Sequence, residues 1–417
     1  MNLLWLCNGM PSHIGWLDDM SKRLANADNI NFAVCFPKWK QKSLVEEEAG
    51  GVRHYAIPRV KKEPYQYDTT QEMIFQSILD SFKPDIIHIW GTEYAHTLAM
   101  VNAAESKNML DKVVINIQGL CSVIEKHYCE GLPLSVIYGF TLRDFLRQDN
   151  IRRQKSKFKK RGAWETEALK KTRHVIGRTE WDLACTKQIN PQVIYHHCNE
   201  SLRDLFYTSP RWSLAECEQH SIFLSQGYYP IKGLHHMLEA MPIIQKQYPG
   251  AKIYCAGPDM LGDGGLVDNL RKSSYSKYIR ALINKHRLQG AVVFTGNLDE
   301  AQFCERMRRS HVFVSPSSIE NESNSIGEAM MLGTPCVATF AGGVTSRFRH
   351  EIDGFCYPVN ASYMLAHYVC RIFNEPELAV EFSKNAYSHV VRRSDRQENF
   401  KQLLEIYEDV RGVQEND

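Results

Sequence analysis

Short apolar runs recur along the chain, and each gives way to a stretch with helical spacing. In the first half the runs fall at residues 3–7, 31–36, 86–89, 113–117 and 174–176. In the second half they fall at 221–224, 252–255, 292–294, 312–314, 335–339 and 355–357. Runs that are apolar at most positions, without strict alternation, fit strands buried on both faces of a parallel sheet. Leu17, Met20 and Leu24 repeat at the helical period after the first run, and a second helix from 71 to 82 ends at Lys83-Pro84. The pattern lapses at 199–212, which reads as a linker, and Phe400, Leu403, Leu404 and Tyr407 mark an amphipathic helix near the end. Strand alternating with helix predicts an α/β chain of two Rossmann-like, parallel-sheet domains. One spans 1–200 and is joined by 396–417, and the other spans 213–395. A ligand cleft between the carboxyl ends of the two sheets is expected.

At 417 residues the chain is long enough for two such cores. Its net charge of +2 argues against a globally basic nucleic-acid binder. The twelve cysteines are scattered, with no C-x-x-C pair, and several sit inside strand-like runs. That usage fits a reducing compartment and not a structural zinc site. The opening run is too short for a signal h-region and no run reaches membrane-spanning length. A cytoplasmic location is expected, with a peripheral position on the inner face of the cell membrane as its variant.

The densest constellation lies at 311–345. An apolar run ends at Val314, a polar loop carries Glu320, and a helix is expected from Asn324 or Ser325 to Gly333. Pro335 then opens the next strand, and Gly342-Gly343 follow it. The amides of the helix start, near Ser323, Asn324 and Ser325, make an anion site suited to a diphosphate. Glu320 on the loop and Glu328 in the first turn can face one cleft. Two readings of Glu328 stand side by side: a ligand to hydroxyls, or the far member of a capping box opened by Ser325. Glu322 reads as a solvated loop charge.

Two glutamates with seven residues between them, then Glu-Ala-Met-x-x-Gly-x-Pro, resemble the signature of family 4 retaining glycosyltransferases of GT-B fold. The resemblance implies that Glu320 holds the transferred sugar and Glu328 the ribose of a nucleotide-sugar donor. It also places Gly296 and Leu298 at the base, where the residues alone indicate only a strand-to-helix turn.

Residues 225–233 are similar to the family's Gly-Arg-x-x-x-x-Lys-Gly element, with Lys232 just before a helix, where a cation can neutralise a leaving diphosphate. There is a departure. Gly227 stands where the family has arginine, and Gln226 where it has glycine. Arg178 is a candidate replacement from the other half.

Gly15 follows the first strand's loop, where the resemblance implies a place near the donor phosphates, and on the acceptor side Glu93 follows the strand bearing His88, itself read as a satisfied strand residue. Gln118 occupies a strand end where many relatives carry histidine; an amide can bind a sugar but cannot shuttle a proton. From 138 to 161 a dense basic run adjoins Tyr138, Leu142, Phe145 and Leu146. It fits an anionic membrane surface and, equally, a solvated helix face.

The reading is therefore a metal-independent hexosyltransferase that moves sugar with retention from a nucleotide-sugar donor to a glycan or lipid-linked acceptor, in surface polysaccharide or glycoconjugate synthesis. Glu320 and Lys232 carry its chemistry. No metal or other cofactor is expected, since no Asp-x-Asp occurs. A nucleotide-sugar epimerase or phosphorylase of the same fold, and a catalytically inactive nucleotide-sugar binder, are the alternatives. An oxidoreductase is disfavoured because Gly-x-Gly-x-x-Gly does not follow the first strand.

Overall fold

The computed structural model describes residues 1–59, 66–262, 265 and 270–412. Among them, residues up to 125, 157–201 and 394–412 form one unit, and residues from 126 to 156 and from 202 to 393 form the other. Residues 126–156, which chain order assigns to the first half, pack with the second unit.

The first unit holds β1 (Asn2–Leu6), β2 (Asn31–Lys38), β3 (Val45–Ala49), β4 (Val52–Pro58), β5 (Ile86–Trp90), β6 (Val113–Asn116), β7 (His174–Gly177) and β8 (Ile194–His197). They form one sheet in the order β3-β4-β2-β1-β5-β6-β7-β8, parallel throughout except for β3 against β4. Leu4 and Leu6 face one side with Phe75, Ile78 and Leu79 of the helix Thr69–Phe82. Leu3 and Trp5 face the other, with Leu17, Met20 and Leu24 and the helix Arg396–Gly412. That last helix is tied in by polar contacts. Trp5 Nε1 donates to Tyr407 Oη at 2.9 Å, and His88 Nδ1 lies 2.6 Å from the same oxygen. Burial takes the His88 imidazole down to about 3, so it is a neutral strand residue, as its sequence context indicates.

The second unit holds β9 (Glu218–Leu224), β10 (Lys252–Cys255), β11 (Val292–Phe294), β12 (Ser310–Ser315), β13 (Cys336–Thr339) and β14 (Gly354–Tyr357). Its sheet runs β11-β10-β9-β12-β13-β14, wholly parallel. This is the doubly wound order in which the chain reverses direction of growth once, between β9 and β12. Right-handed crossovers carry the helices to opposite faces on either side of that point, so the loops after β9 and β12 diverge and leave a crevice.

β3, β4 and β8 escape the sequence pattern. β3 is Val-Glu-Glu-Glu-Ala, an edge strand with Glu46 to Ala49 exposed, and β8 is a half-exposed edge. Charged residues on an edge protect it from pairing with another chain, and they also erase the apolar run that marks a buried strand. The expected linker is also partly ordered: Asp204–Thr208 is a helix. All twelve cysteines are free.

Candidate functional site

In the second unit the loop after β9 and the loop after β12 supply the two predicted catalytic side chains, at the point where strand order reverses. Lys232 Nζ lies 2.5 Å from Glu320 Oε1, and both side chains are partly shielded from solvent. The two loops are fastened by their backbones as well: Ser318 N donates to Ile231 O at 2.8 Å. Glycine makes the approach possible. Gly233 has φ +71°, and a Cβ there would stand 1.9 Å from Pro316 O. Gly342, at φ +57°, lies against Glu320 O in the same way, and Gly343 N donates to that oxygen at 2.9 Å. The Gly-Gly pair of the sequence signature therefore clamps the backbone of Glu320.

The helix after this loop is Asn324–Leu332, with Ser323 at its N-cap and Gly333 closing it in the left-handed conformation. Ser323, Asn324 and Ser325 are partly exposed, so their amides stand at an accessible helix start. Glu328 is the fifth residue of the helix, just past its first turn. No capping box forms, because Ser323 and not Ser325 is the N-cap and it makes no side-chain cap.

Glu328 is instead gripped by Arg203, with Oε1 to Nε at 2.6 Å and Oε2 to Nη2 at 2.8 Å. The guanidinium sits over the rings of Phe206 and Phe303, at 4.8 and 5.0 Å from their centroids. Burial raises the Glu328 carboxyl above its ordinary range while Arg203 pulls it back.

Glu322 is a correction. It is not a solvated charge: its side chain is fully buried and accepts from Arg347 Nε at 2.8 Å and from Arg393 Nε at 2.7 Å. Arg347 is itself buried, and its Nη1 lies so close to Gly327 that a Cβ there would meet it at 1.7 Å. Two guanidinium groups thus stand behind the start of the helix Asn324–Leu332. Arg203, Arg347 and Arg393 were all missed by sequence reasoning.

Gly227, the family's arginine position, is packed between Cys255 Sγ and Leu234 Cδ2, at 2.7 and 2.8 Å from where a Cβ would stand. A larger side chain would have to displace both. Gln226, beside it, is half-buried. Gly296 (φ +74°) and Leu298 lie in the turn between β11 and the helix Glu300–Arg308, with Gly257 N donating to Gly296 O at 2.9 Å. Leu298 packs on the apolar cluster that includes Phe206.

In the first unit the strand order reverses between β1 and β5. Gly15 is the first residue of the helix Gly15–Ala25. Glu93 follows β5 and accepts from Asn8 Nδ2 at 3.4 Å, and burial raises its carboxyl above the ordinary range. Gln118 Nε2 donates to Asn116 Oδ1 at 2.6 Å and to Glu200 Oε1 at 2.5 Å. Arg178, the candidate phosphate ligand, is buried and ion-paired with Glu200, so its charge is already matched inside this unit. A further buried acid, Glu165, escaped the sequence reading. It accepts from Thr92 Oγ1, Ser122 Oγ and the amides of Cys121 and Ser122, at 2.6–3.0 Å, at the start of the helix Cys121–His127. Burial pushes it up to about 7 against the pull of those donors.

Comparison with known proteins agrees with this geometry. The sequence model of the glycosyl transferases group 1 family matches residues 211–389. YtcC of Bacillus subtilis is 27% identical over 183 residues, a stretch that covers 43% of this chain and 43% of that protein. The match thus spans less than half the length of that relative. Among solved structures, sucrose-phosphate synthase from Thermosynechococcus elongatus superposes with a TM-score of 0.72 at 16% identity, covering 99% of this chain and 100% of its own. HepE of Anabaena, in complex with UDP-glucose, superposes with a TM-score of 0.67 at 14% identity, covering 98% and 100%. The chain has the α/β fold of GT-B glycosyltransferases with two parallel-sheet domains, and its residues 211–389 match the model of the glycosyl transferases group 1 family.

Proposed function

We propose that this protein is a retaining glycosyltransferase that uses a nucleoside-diphosphate hexose, with the donor held by the second unit. The observation that carries the reading is the convergence of Lys232 and Glu320, from the loops after β9 and β12, beside the helix start at Asn324. HepE was solved with UDP-glucose, which makes that compound the first donor to test.

The chain supplies binding and charge. Lys232 and the amides near Ser323, Asn324 and Ser325 receive the diphosphate, and Glu320 accepts hydrogen bonds from the sugar hydroxyls. Gln226 and Gly227 border the diphosphate, while Gly296 and Leu298 border the base. Glu328 is fixed by Arg203, so it offers the ribose only lone pairs that the guanidinium does not use. The C1–O bond to the diphosphate breaks, and an acceptor hydroxyl oxygen bonds to C1 on the same face. The hydroxyl proton leaves with the diphosphate oxygen, which suits a chain whose Gln118 cannot act as a base. Lys232 and the helix dipole do the work a metal does elsewhere, so the reaction is metal-independent. Glu93 and Gln118 belong to the acceptor side, and the acceptor is a glycan or a lipid-linked glycan of a surface polysaccharide.

The packing of Gly227 favours one second reading, a protein that binds the nucleotide sugar and does not turn it over. Nucleotide release from UDP-glucose in the presence of an extracted glycolipid acceptor separates the two. Turnover in the wild type that disappears in Glu320→Ala, with an unchanged circular dichroism spectrum, supports transfer. Undiminished turnover in that variant overturns the role of Glu320.

A further inference from the structure

Between residues 134 and 147 the second unit carries the short helices Leu134–Ile137 and Leu142–Arg147. Leu134, Tyr138, Phe140, Leu142, Phe145 and Leu146 are each between 52% and 72% exposed. No other stretch of comparable length among the described residues exposes so many large apolar side chains. A monomer in water rarely carries such a patch without a use for it.

The segment is not a loose loop. Thr141 caps the second helix by accepting from Asp144 N at 3.1 Å. The Asp144 side chain is fully buried and accepts from Ser274 N at 3.0 Å, and Arg143 Nη1 reaches both Asp144 and Asp149, at 3.1 and 2.8 Å. Ile151, just beyond, is buried. The inner side is therefore anchored by polar contacts, and the apolar side chains face outward.

Their surroundings identify the partner. Arg147, Arg152 and Arg153 are exposed at the rim, and the guanidinium of Arg152 lies 5.0 Å from the centre of the Tyr138 ring. Exposed apolar and aromatic side chains beside exposed arginines match the boundary between headgroups and acyl chains of an anionic bilayer. A twofold contact with a second copy would set the same arginines against themselves. Among the described residues no helix is long and apolar enough to cross a membrane, so this contact lies on the surface of the bilayer.

We infer that residues 134–153 dock the protein on an anionic bilayer, with Leu142, Phe145 and Leu146 inserted below the headgroups and Arg147, Arg152 and Arg153 at the phosphates. The structure moves this contact away from most of the basic run at 151–161 and onto the short apolar helices before it. The inference stands without the transferase reading.

The test is co-sedimentation of the full chain with vesicles of phosphatidylcholine containing about one quarter phosphatidylglycerol, and with phosphatidylcholine alone. The wild type is expected to bind the mixed vesicles about tenfold or more tightly than the neutral ones. L142E/F145E/L146E should lose binding to both, and R147Q/R152Q/R153Q should lose only the preference for anionic lipid. These side chains are exposed, so melting temperatures should hold. The inference is overturned if the wild type stays in the supernatant or if the apolar-to-acid variant binds as well as the wild type. It also falls if the wild type is a dimer that this variant converts to monomer.

Discussion

Lys232 Nζ stands 2.5 Å from Glu320 Oε1, although 88 residues separate the two in sequence. The pair joins the loops on either side of the strand-order reversal in the second sheet. Both side chains are partly shielded, so removing one leaves the other's charge without its partner in a poorly solvated place. Lys232→Met and Glu320→Gln should each lower the urea midpoint. The double variant should lose less than the sum, by about 0.5–3 kcal/mol. Additive losses would mean that the two residues do not act as a pair.

Glu322 offers a sharper contrast. As a solvated loop charge, its replacement would change stability by no more than about 0.5 kcal/mol. Buried between Arg347 and Arg393, it should cost about 3–5 kcal/mol to replace by glutamine, because two guanidinium groups lose their shared carboxylate. Urea unfolding of Glu322→Gln measures this, and a loss within the smaller range would contradict the buried arrangement.

A pH dependence follows from Asp353, whose side chain is fully buried in the turn just before β14. Burial alone would raise its carboxyl, but His389 Nδ1 and Arg349 Nη2, each at 2.7 Å, and the Arg349 amide bring it from the ordinary 3.8 down to about 2. The folded state therefore binds this proton more weakly than the unfolded chain does. The stabilisation is complete above the ordinary value and is lost as pH falls through about 2. Asp353→Asn should be less stable than wild type by roughly 2 kcal/mol near neutrality, and the gap should narrow below about pH 4. Urea midpoints of both proteins across that range test this; a gap independent of pH would contradict it.

The sequence revealed the fold wherever a strand is buried on both faces. β1, β5, β10 and β12 are built around short apolar stretches because helices cover both sides of a parallel sheet. β3 was invisible because an edge strand of three glutamates carries no such run. The loop and helix around Glu320 were legible for a local reason: Gly333 and Pro335 end the helix and open a strand within a few residues. The partners of the acids were not legible. Arg203 lies 125 residues from Glu328, and Arg347 and Arg393 lie 25 and 71 residues from Glu322. Sequence spacing carries no record of pairs that only the folded sheet brings together, so Glu322 looked like an ordinary polar residue in a polar loop. Arg178 misled in the opposite sense, since nothing near it in sequence announces Glu200 as its partner.

The central claim is that Lys232 and Glu320 mark a nucleotide-sugar site, and ligand-induced thermal stabilisation tests it most directly. A ligand that binds only the folded state raises stability by about 2.7 kcal/mol at a hundred times its dissociation constant. Wild type and Lys232→Met should be melted in rising concentrations of UDP-, GDP- and ADP-glucose. One nucleotide series is expected to raise the wild-type melting temperature, and Lys232→Met to need at least about tenfold more of it for the same rise. A wild type unmoved by every nucleotide sugar, or a variant stabilised as readily as the wild type, would contradict it.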